Sequence, residues 1–140
     1  RLNKQLVFDA YPIPRPWDMV KTLAGKELYT ALDANWGFWN LRVAEDSKKY
    51  TAIITPWGLF EFNVLPFGIK NSPGEFQRAM DVALSPCRDF LSCYIDDMSV
   101  GADDEATHFE YLRRTLEACR LGGVYLKIEK AHILQHKAAY

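Results

Sequence analysis

The sequence predicts an α+β fold of the ferredoxin-like type, in which a split βαβ antiparallel sheet carries two packed helices. Two observations predict it. Strand-like and helix-like segments follow one another in the order β, inserted hairpin, α, β, β, α, β. The second hairpin, over residues 90–101, places two adjacent acids between two short apolar runs of strand-forming residues.

Size and composition indicate one folded domain. The chain has 140 residues, 49% hydrophobic and 14% aromatic, which is typical of a globular protein with a substantial core. Its net charge of −1 excludes a globally basic surface, so any contact with nucleic acid is predicted to be local. Three cysteines without C-x-x-C spacing predict neither a disulfide framework nor a zinc site, and they indicate a reducing, intracellular compartment. A soluble protein is expected, because no apolar run is long enough for a membrane span.

Prolines and glycines divide the first half of the chain into elements. Alternating prolines over 12–16 exclude a helix and impose an extended path. Apolar residues at helical spacing then precede Gly25, and the next segment alternates apolar and polar residues up to Asp33. The predicted elements are a connector over 1–16, a helix over 17–25, a strand over 27–33, and an inserted hairpin at about 50–65 with strands over 50–54 and 59–65.

The most strongly signalled helix begins near Ser72. Ser72 is predicted to be the N-cap, with Pro73 in the first helical position and Glu75 completing a capping box. Its predicted core face consists of Phe76, Ala79, Met80, Ala83 and Leu84, and Ser85-Pro86 ends the helix.

A second helix follows the acidic hairpin, capped by Asp103 or Asp104 and stopped by Gly122-Gly123. A last strand is predicted over 124–128, and 129–140 is left without assignment. The predicted core face of the helix consists of Phe109, Leu112, Leu116 and Cys119.

Asp96 and Asp97 at the hairpin tip indicate metal chemistry. Two carboxylates about 4 Å apart repel by roughly 4 kcal/mol at an effective dielectric constant near 20, so a cation is expected beside them. Mg²⁺ suits such a site because it takes one or two protein carboxylates and fills its other positions with water and phosphates. The alternative is a solvated turn, since Asp is a common turn residue. If Asp33 lies beside the hairpin in the sheet, three carboxylates converge, and a two-metal phosphoryl-transfer site is predicted.

A series of short motifs, in order and over nearly the whole chain, resembles the reverse transcriptases of gypsy-type LTR retrotransposons. The motifs are Tyr-Pro-Ile-Pro-Arg at 11–15, Leu-Asp-Ala-Asn at 32–35, Gly-Phe-Trp at 37–39, Pro-Phe-Gly-Ile-Lys-Asn-Ser-Pro at 66–73, Phe-Gln-Arg-Ala-Met-Asp at 76–81, and Tyr-Ile-Asp-Asp at 94–97. The resemblance implies that residues 1–140 form one polymerase palm with part of the fingers, the thumb and RNase H regions lying outside them. It also implies an RNA-directed DNA polymerase, a nucleotidyltransferase of retrotransposon replication that is cut from a polyprotein. We expect it in the cytoplasm or in virus-like particles.

The resemblance also implies roles for particular residues. Two Mg²⁺ ions, or Mn²⁺ as a substitute, would be held by Asp33, Asp96, Asp97 and the Ala34 carbonyl. Residues for the incoming deoxynucleoside triphosphate (dNTP) would be Phe38, Phe67, Gly68 and Ile95. Residues for the RNA or DNA template and its primer would be Tyr94, Pro73 and Gln77. The aromatic ring of Phe38 would exclude a 2′-hydroxyl, the group that distinguishes RNA from DNA.

Several of these residues have a second interpretation. Phe38 can be a core residue, and Pro73 can serve only to start a helix. Lys48, Lys49 and Lys70 can meet phosphates or simply remain solvated. His132 and His136 have the i, i+4 spacing of a metal site on a helix, but they are predicted to be surface histidines.

Two departures from the family leave a competing function open. Trp36 stands where a small residue is usual, and Ala131 where a cysteine is common. The basic residues that grip the triphosphate in the family would lie before Arg1, so little or no activity is expected of the fragment alone. The alternatives are a degenerate or domesticated palm acting as a non-catalytic interaction module, and a palm-type RNA polymerase, which Phe38 disfavours.

Overall fold

A computed structural model describes residues 2–136 of the chain, which contain four α-helices and six strands. The elements are α1 (Leu2–Gln5), α2 (Pro16–Leu23), β1 (Leu28–Asp33), β2 (Ile53–Thr55), β3 (Gly58–Phe60), α3 (Ser72–Ala83), β4 (Leu91–Tyr94), β5 (Asp97–Ala102), α4 (Glu105–Gly122) and β6 (His132–Gln135). None of the helices in this part of the chain is long and apolar enough to cross a membrane.

One antiparallel sheet has the strand order β4-β5-β1-β6, and β2 pairs only with β3 as a separate hairpin. This is the predicted split βαβ order, because β1 lies beside the second hairpin although more than 50 residues separate them in sequence. The β1–β5 register pairs Leu28 with Ala102 and Asp33 with Asp97. The end of β1 therefore lies directly opposite the start of the strand that follows the acidic turn.

The hydrophobic core lies between this sheet and helices α3 and α4. Met98 and Val100 of β5 are completely buried against Phe76 and Met80 of α3 in one cluster of apolar side chains. The predicted core face of α3 is confirmed at Phe76, Met80 and Leu84, while its two alanines are half-buried. Burial of this surface supplies the main favourable free energy of folding, about 25 cal/mol per Å² of apolar area.

Gly122 and Gly123 lie at the end of α4, as predicted, and each has a different role there. Gly123 adopts a left-handed backbone, φ +69°, at the C-cap of α4. Gly122 permits the close approach of α4 to α3, because a Cβ there would lie 2.5 Å from the Ala83 Cβ.

The buried face of α4 is rotated from the predicted one. Leu112 and Cys119 are buried as predicted, but Phe109 and Leu116 are 52% and 43% exposed. Their places in the buried stripe are taken by His108 and Thr115, both completely buried. The prediction failed because it counted only apolar residues, and two polar side chains occupy the core stripe.

His108 joins α4 to the sheet. Its Nε2 lies 2.7 Å from Thr30 Oγ1 on β1, and this hydroxyl oxygen also accepts a hydrogen bond from the Leu134 N–H of β6 at 3.2 Å. Among residues 2–136, the buried Nδ1 of His108 has no hydrogen-bond partner. Burial lowers the pKa of this imidazole below its usual 6.5.

We expect the free energy of unfolding to fall as the pH drops below about 6.5. Below this pH the unfolded chain binds a proton on His108 that the folded chain does not bind. The free energy of unfolding therefore falls by up to about 1.4 kcal/mol per pH unit, until the pH reaches the lowered pKa of His108 in the folded chain. His108→Gln should remove this slope in urea unfolding measured between pH 5 and 8. His132→Gln, at an exposed position, is the control and should keep it. An unchanged slope in His108→Gln would contradict the interpretation.

The capping box predicted at α3 is absent. Ser72 lies in the first helical turn, not at the N-cap, and its hydroxyl donates to the Pro66 carbonyl at 3.2 Å. Asn71 is the N-cap residue, and its side chain contacts the backbone of Val7 and Asp9 instead of capping the helix. Tertiary hydrogen bonds therefore replace the local ones, although Pro73 does lie in the first turn as predicted. At α4 the capping prediction is confirmed, since the Asp104 carboxylate accepts from the Thr107 N–H at 2.9 Å.

Three other predicted bounds are wrong. Residues 1–16 are not all extended, because α1 precedes the proline path. The inserted hairpin is shorter than predicted, since Glu45–Thr51 forms a 3₁₀ helix and only β2 and β3 pair. The last strand is β6 and not 124–128, where Leu126 makes a single bridge to Ala34. The mostly exposed 124–128 segment runs antiparallel to the end of β1, where the Lys127 N–H donates to the Asp33 carbonyl and the Asn35 N–H to the Tyr125 carbonyl, but it forms no longer strand. His132 and His136 are exposed, as predicted, and His132 begins a strand.

Candidate active site

Three acids lie at one end of the sheet. Asp33 ends β1, Asp97 begins β5 opposite it, and Asp96 lies in the turn before Asp97. A hydrogen bond from the Ala34 N–H to the Asp96 carbonyl, 2.8 Å long, ties the end of β1 to that turn. The sheet register thus brings together acids that are more than 60 residues apart in sequence.

Electrostatic repulsion acts within this group of acids. Partial desolvation raises the pKa of the Asp97 carboxyl, and the nearby Asp96 and Asp33 raise it further. Lys130 opposes this effect, and its Nζ lies 2.8 Å from Asp33 Oδ2. Hydrogen bonding to Asp33 in turn raises the pKa of Lys130. A cation therefore does lie beside the acids, supplied by the chain itself.

Asp33, Asp96 and Asp97 offer the oxygen ligands that magnesium prefers, but they do not form a closed metal cage. Within residues 2–136, no group of three or more His, Cys, Asp or Glu side chains could hold a metal ion by itself. Mg²⁺ does not need such a cage, because it commonly binds one or two carboxylates and takes its other ligands from water and phosphates. The Lys130 side chain is 56% exposed, so its ion pair with Asp33 contributes little to stability and can be exchanged for another cation.

The turn that carries Asp96 is held from below by Gln77. Ile95 has a left-handed backbone, φ 55°, and its N–H donates to Gln77 Oε1 at 2.7 Å. Gln77 Nε2 donates to the Cys93 carbonyl at 3.3 Å and to Asp81 Oδ1 at 2.8 Å. Gln77, predicted to contact primer and template, is completely buried beneath the hairpin, whereas Tyr94 is half-buried beside the turn.

A cluster of aromatic side chains surrounds Phe38, in the segment that follows β1. Phe38 lies between Phe67 and Phe76, with ring centroids 5.2 and 5.4 Å away. Since Phe76 belongs to the core and Phe67 is exposed, Phe38 has both a core contact and a side toward the surface. Trp36 is 64% exposed, with φ 68°, and its ring meets Trp39 edge-on at 6.3 Å.

The loop of the predicted nucleotide pocket is held by the start of the chain. Gly68 has φ +84°, a conformation that favours glycine. Asn3 Nδ2 donates to the Gly68 carbonyl at 2.7 Å, and Asn3 Oδ1 accepts from the Lys70 N–H at 2.9 Å. Sequence reasoning missed Asn3, as it missed Lys130, because neither lies in a motif and both act over more than 60 residues of sequence.

The lysines predicted to meet phosphates all have neighbours within the chain. Lys48 pairs with Glu45 at 2.6 Å. The ammonium groups of Lys49 and Lys70 lie over the rings of Tyr50 and Phe8, 5.2 and 5.1 Å from the centroids. Their contact with phosphate stays a prediction. Ala131, where a cysteine is common, is half-buried against the core.

Comparison with known proteins decides the family. The family model described as "Reverse transcriptase (RNA-dependent DNA polymerase)" matches residues 1–140. The chain belongs to the reverse transcriptase family. This reverse transcriptase domain is 35% identical over 136 residues to the enzymatic polyprotein of Cauliflower mosaic virus (strain Strasbourg), covering 97% of the chain and 20% of the polyprotein. It is 32% identical to the enzymatic polyprotein of Figwort mosaic virus (strain DxS), with the same coverage. The domain thus spans about a fifth of the length of these curated relatives.

Solved structures share the fold of the domain. The foamy viral protease-reverse transcriptase dRH, in complex with ds DNA, superposes with a TM-score of 0.91 at 20% identity, over 99% of this chain and 24% of that one. The foamy viral protease-reverse transcriptase in complex with RNA/DNA hybrid gives a TM-score of 0.90 at 20% identity, over 99% of this chain and 19% of that one. The α+β fold, with its antiparallel sheet and packed helices, is therefore the fold of the reverse transcriptase palm.

Proposed function

We propose that this domain is the catalytic palm of an RNA-directed DNA polymerase, which extends a primer 3′-hydroxyl with dNTPs. The observation that carries the proposal is the β1–β5 register, which sets Asp33 opposite Asp97 and beside the Asp96 turn. Membership in the reverse transcriptase family supports it.

Asp33, Asp96 and Asp97 are the residues that would hold two divalent cations, Mg²⁺ or Mn²⁺, with the Ala34 carbonyl as a further ligand. Bound there, the cations supply charge neutralisation for the triphosphate and acidify the 3′-hydroxyl. The acids would fix the positions of the reacting groups, and Asp33 would have to exchange its ion pair with Lys130 for a cation held there. Positioning and electrostatic stabilisation are the main contributions a protein makes to phosphoryl transfer.

The incoming dNTP would lie against Phe38, with Phe67, Gly68 and Ile95 completing its pocket. Tyr94, Pro73 and Gln77 belong to the primer and template side, where Gln77 acts from beneath the hairpin. The foamy viral structures were solved with ds DNA and with RNA/DNA hybrid, and we infer that this domain binds a primer-template duplex. The polyprotein relatives support an origin of this domain in a larger polyprotein. We propose that this polyprotein replicates a gypsy-type LTR retrotransposon, in the cytoplasm or in virus-like particles.

The test is primer extension on an RNA template with Mg²⁺ and dNTPs, using the longest natural polypeptide that contains this domain. We expect a DNA product that disappears when EDTA removes the metal. A folded polypeptide without extension under Mg²⁺ or Mn²⁺ would overturn the proposal and favour the non-catalytic interaction module that Trp36 suggests.

A smaller residue at Phe38 is expected to relax the choice of sugar. Phe38→Val removes the ring that would meet a ribose 2′-hydroxyl, so the ratio of kcat/KM for dNTPs over ribonucleotides should fall about 10- to 100-fold. The measurement is single-nucleotide incorporation with both sugars. Phe109→Val changes an exposed phenylalanine on α4 and is the control, with no change expected. An unchanged ratio in Phe38→Val would assign Phe38 to the core alone.

A further inference from the structure

We propose that Asp81 and Tyr11 are positioning residues for the acidic hairpin and act on it through Gln77; this inference rests on the proposed polymerase function. The chain of contacts runs from Tyr11 to Asp81, then to Gln77, and ends on the backbone of Ile95. Ile95 directly precedes Asp96 and Asp97. This series of hydrogen bonds, from Tyr11 through Asp81 and Gln77 to Ile95, is called the relay below. It connects the segment before α2 to the turn that carries two of the three acids.

The turn needs an external support. Ile95 is a β-branched residue in the left-handed region, φ 55°, a backbone conformation that such side chains disfavour. The 2.7 Å bond from its N–H to Gln77 Oε1 satisfies a donor that this turn directs toward the core. Gln77 itself is completely buried, so loss of the bond would leave buried polar groups without a partner, which is destabilising.

Asp81 determines which way the Gln77 amide points. A glutamine amide can present either its oxygen or its NH₂ group, but a carboxylate only accepts hydrogen bonds. Asp81 Oδ1 at 2.8 Å and the Cys93 carbonyl at 3.3 Å both require the NH₂ group. The oxygen must then face the Ile95 N–H. Without the carboxylate, the amide loses its stronger orienting contact and can turn its NH₂ group toward the Ile95 N–H, where it cannot accept a hydrogen bond.

Tyr11 holds Asp81 in place. Its hydroxyl donates to Asp81 Oδ2 at 2.6 Å, so each carboxylate oxygen has a different partner. The Arg78 guanidinium lies over the Tyr11 ring, 4.9 Å from its centroid, and it also pairs with Asp9. The contact with Arg78 therefore helps to hold the Tyr11 ring in place. The Tyr11 and Asp81 side chains are half-buried, and this partial screening from water strengthens the contact.

The relay has a catalytic consequence. A displacement of about 1 Å at reacting groups can cost on the order of 10²-fold in rate, and Asp96 and Asp97 move with the Ile95 backbone. We expect Asp81→Asn to lower kcat about 10- to 100-fold, with KM for primer-template unchanged. Tyr11→Phe should lower kcat by roughly 3-fold, since it removes one hydrogen bond. Asp89→Asn, at an exposed acid, is the matched control and should leave kcat unchanged.

A double variant tests the direction of the hydrogen bonds. In Gln77→Glu/Asp81→Asn, the carboxylate moves to position 77, where it can accept from both the Ile95 N–H and the new amide at position 81. The pair should recover at least 3-fold of the kcat lost in Asp81→Asn. Gln77→Glu alone places two carboxylates side by side and should be the least active of the three.

Amide hydrogen exchange at Ile95 provides a readout that needs no polymerase activity. We expect Asp81→Asn to accelerate exchange at Ile95 at least 10-fold, with exchange in α4 unchanged, and the double variant to restore protection. Unchanged exchange at Ile95 together with unchanged kcat would overturn the relay. Uniformly faster exchange across α3, α4 and the sheet, without rescue, would also overturn it by making Asp81 a general stability residue. If the unmodified protein does not extend primers, the proposed function fails, and exchange at Ile95 still decides the relay.

Discussion

Asp97→Asn is expected to abolish primer extension, with a loss of at least about 10²–10³-fold, while the domain stays folded. The amide keeps the shape of the side chain but removes the negative charge that would hold a divalent cation at the start of β5. Stability should be equal or higher, because Asp97 is repelled by Asp96 and Asp33 at the same end of the sheet. Retention of mutually repelling acids at a cost in stability is typical of a functional site.

Asp33→Asn should cause a comparable loss of activity but a different change in stability. It breaks the ion pair with Lys130, a contact at the surface whose loss costs under about 1 kcal/mol. Both variants are measured by primer extension and by urea unfolding, with Asp103→Asn, an exposed acid after β5, as the control. Extension that survives either substitution within 10-fold would contradict the assignment of these acids to the metal site.

Phe76→Ala is expected to lower the free energy of unfolding by about 3–5 kcal/mol, the range measured for large-to-small changes in cores. Phe76 is 2% exposed and lies in the cluster that joins α3 to the sheet. It also contacts Phe38 at a centroid distance of 5.4 Å, so loss of its ring should loosen the predicted nucleotide pocket.

The matched control is Phe109→Ala, the same chemical change at a residue that is 52% exposed. We expect it to cost under about 1 kcal/mol. Urea unfolding monitored by circular dichroism compares the two variants. Equal losses would contradict the rotation of α4 found here and restore the predicted face through Phe109 and Leu116.

Local patterns were sufficient for much of the fold. The alternation that ends at Asp33, the two apolar runs around Asp96-Asp97 and the helical stripe of Phe76, Met80 and Leu84 are all found where they were predicted. Each of these patterns depends on spacings of two to four residues, so it is set by the sequence of a single helix or strand. Patterns failed where a polar residue occupied the core. His108 was not predicted to be buried, because its partner Thr30 is 78 residues away in sequence.

By itself, the sequence determined the order of elements, the position of the acidic turn and the family to which the chain belongs. Only the tertiary structure decided that Asp33 faces Asp97, that Lys130 neutralises Asp33 and that Gln77 supports the turn from below. It also decided that β6, and not the segment over 124–128, completes the sheet. The physical reason is common to all of these: such contacts join residues far apart in sequence, and their geometry follows from strand register and packing, which no local spacing encodes.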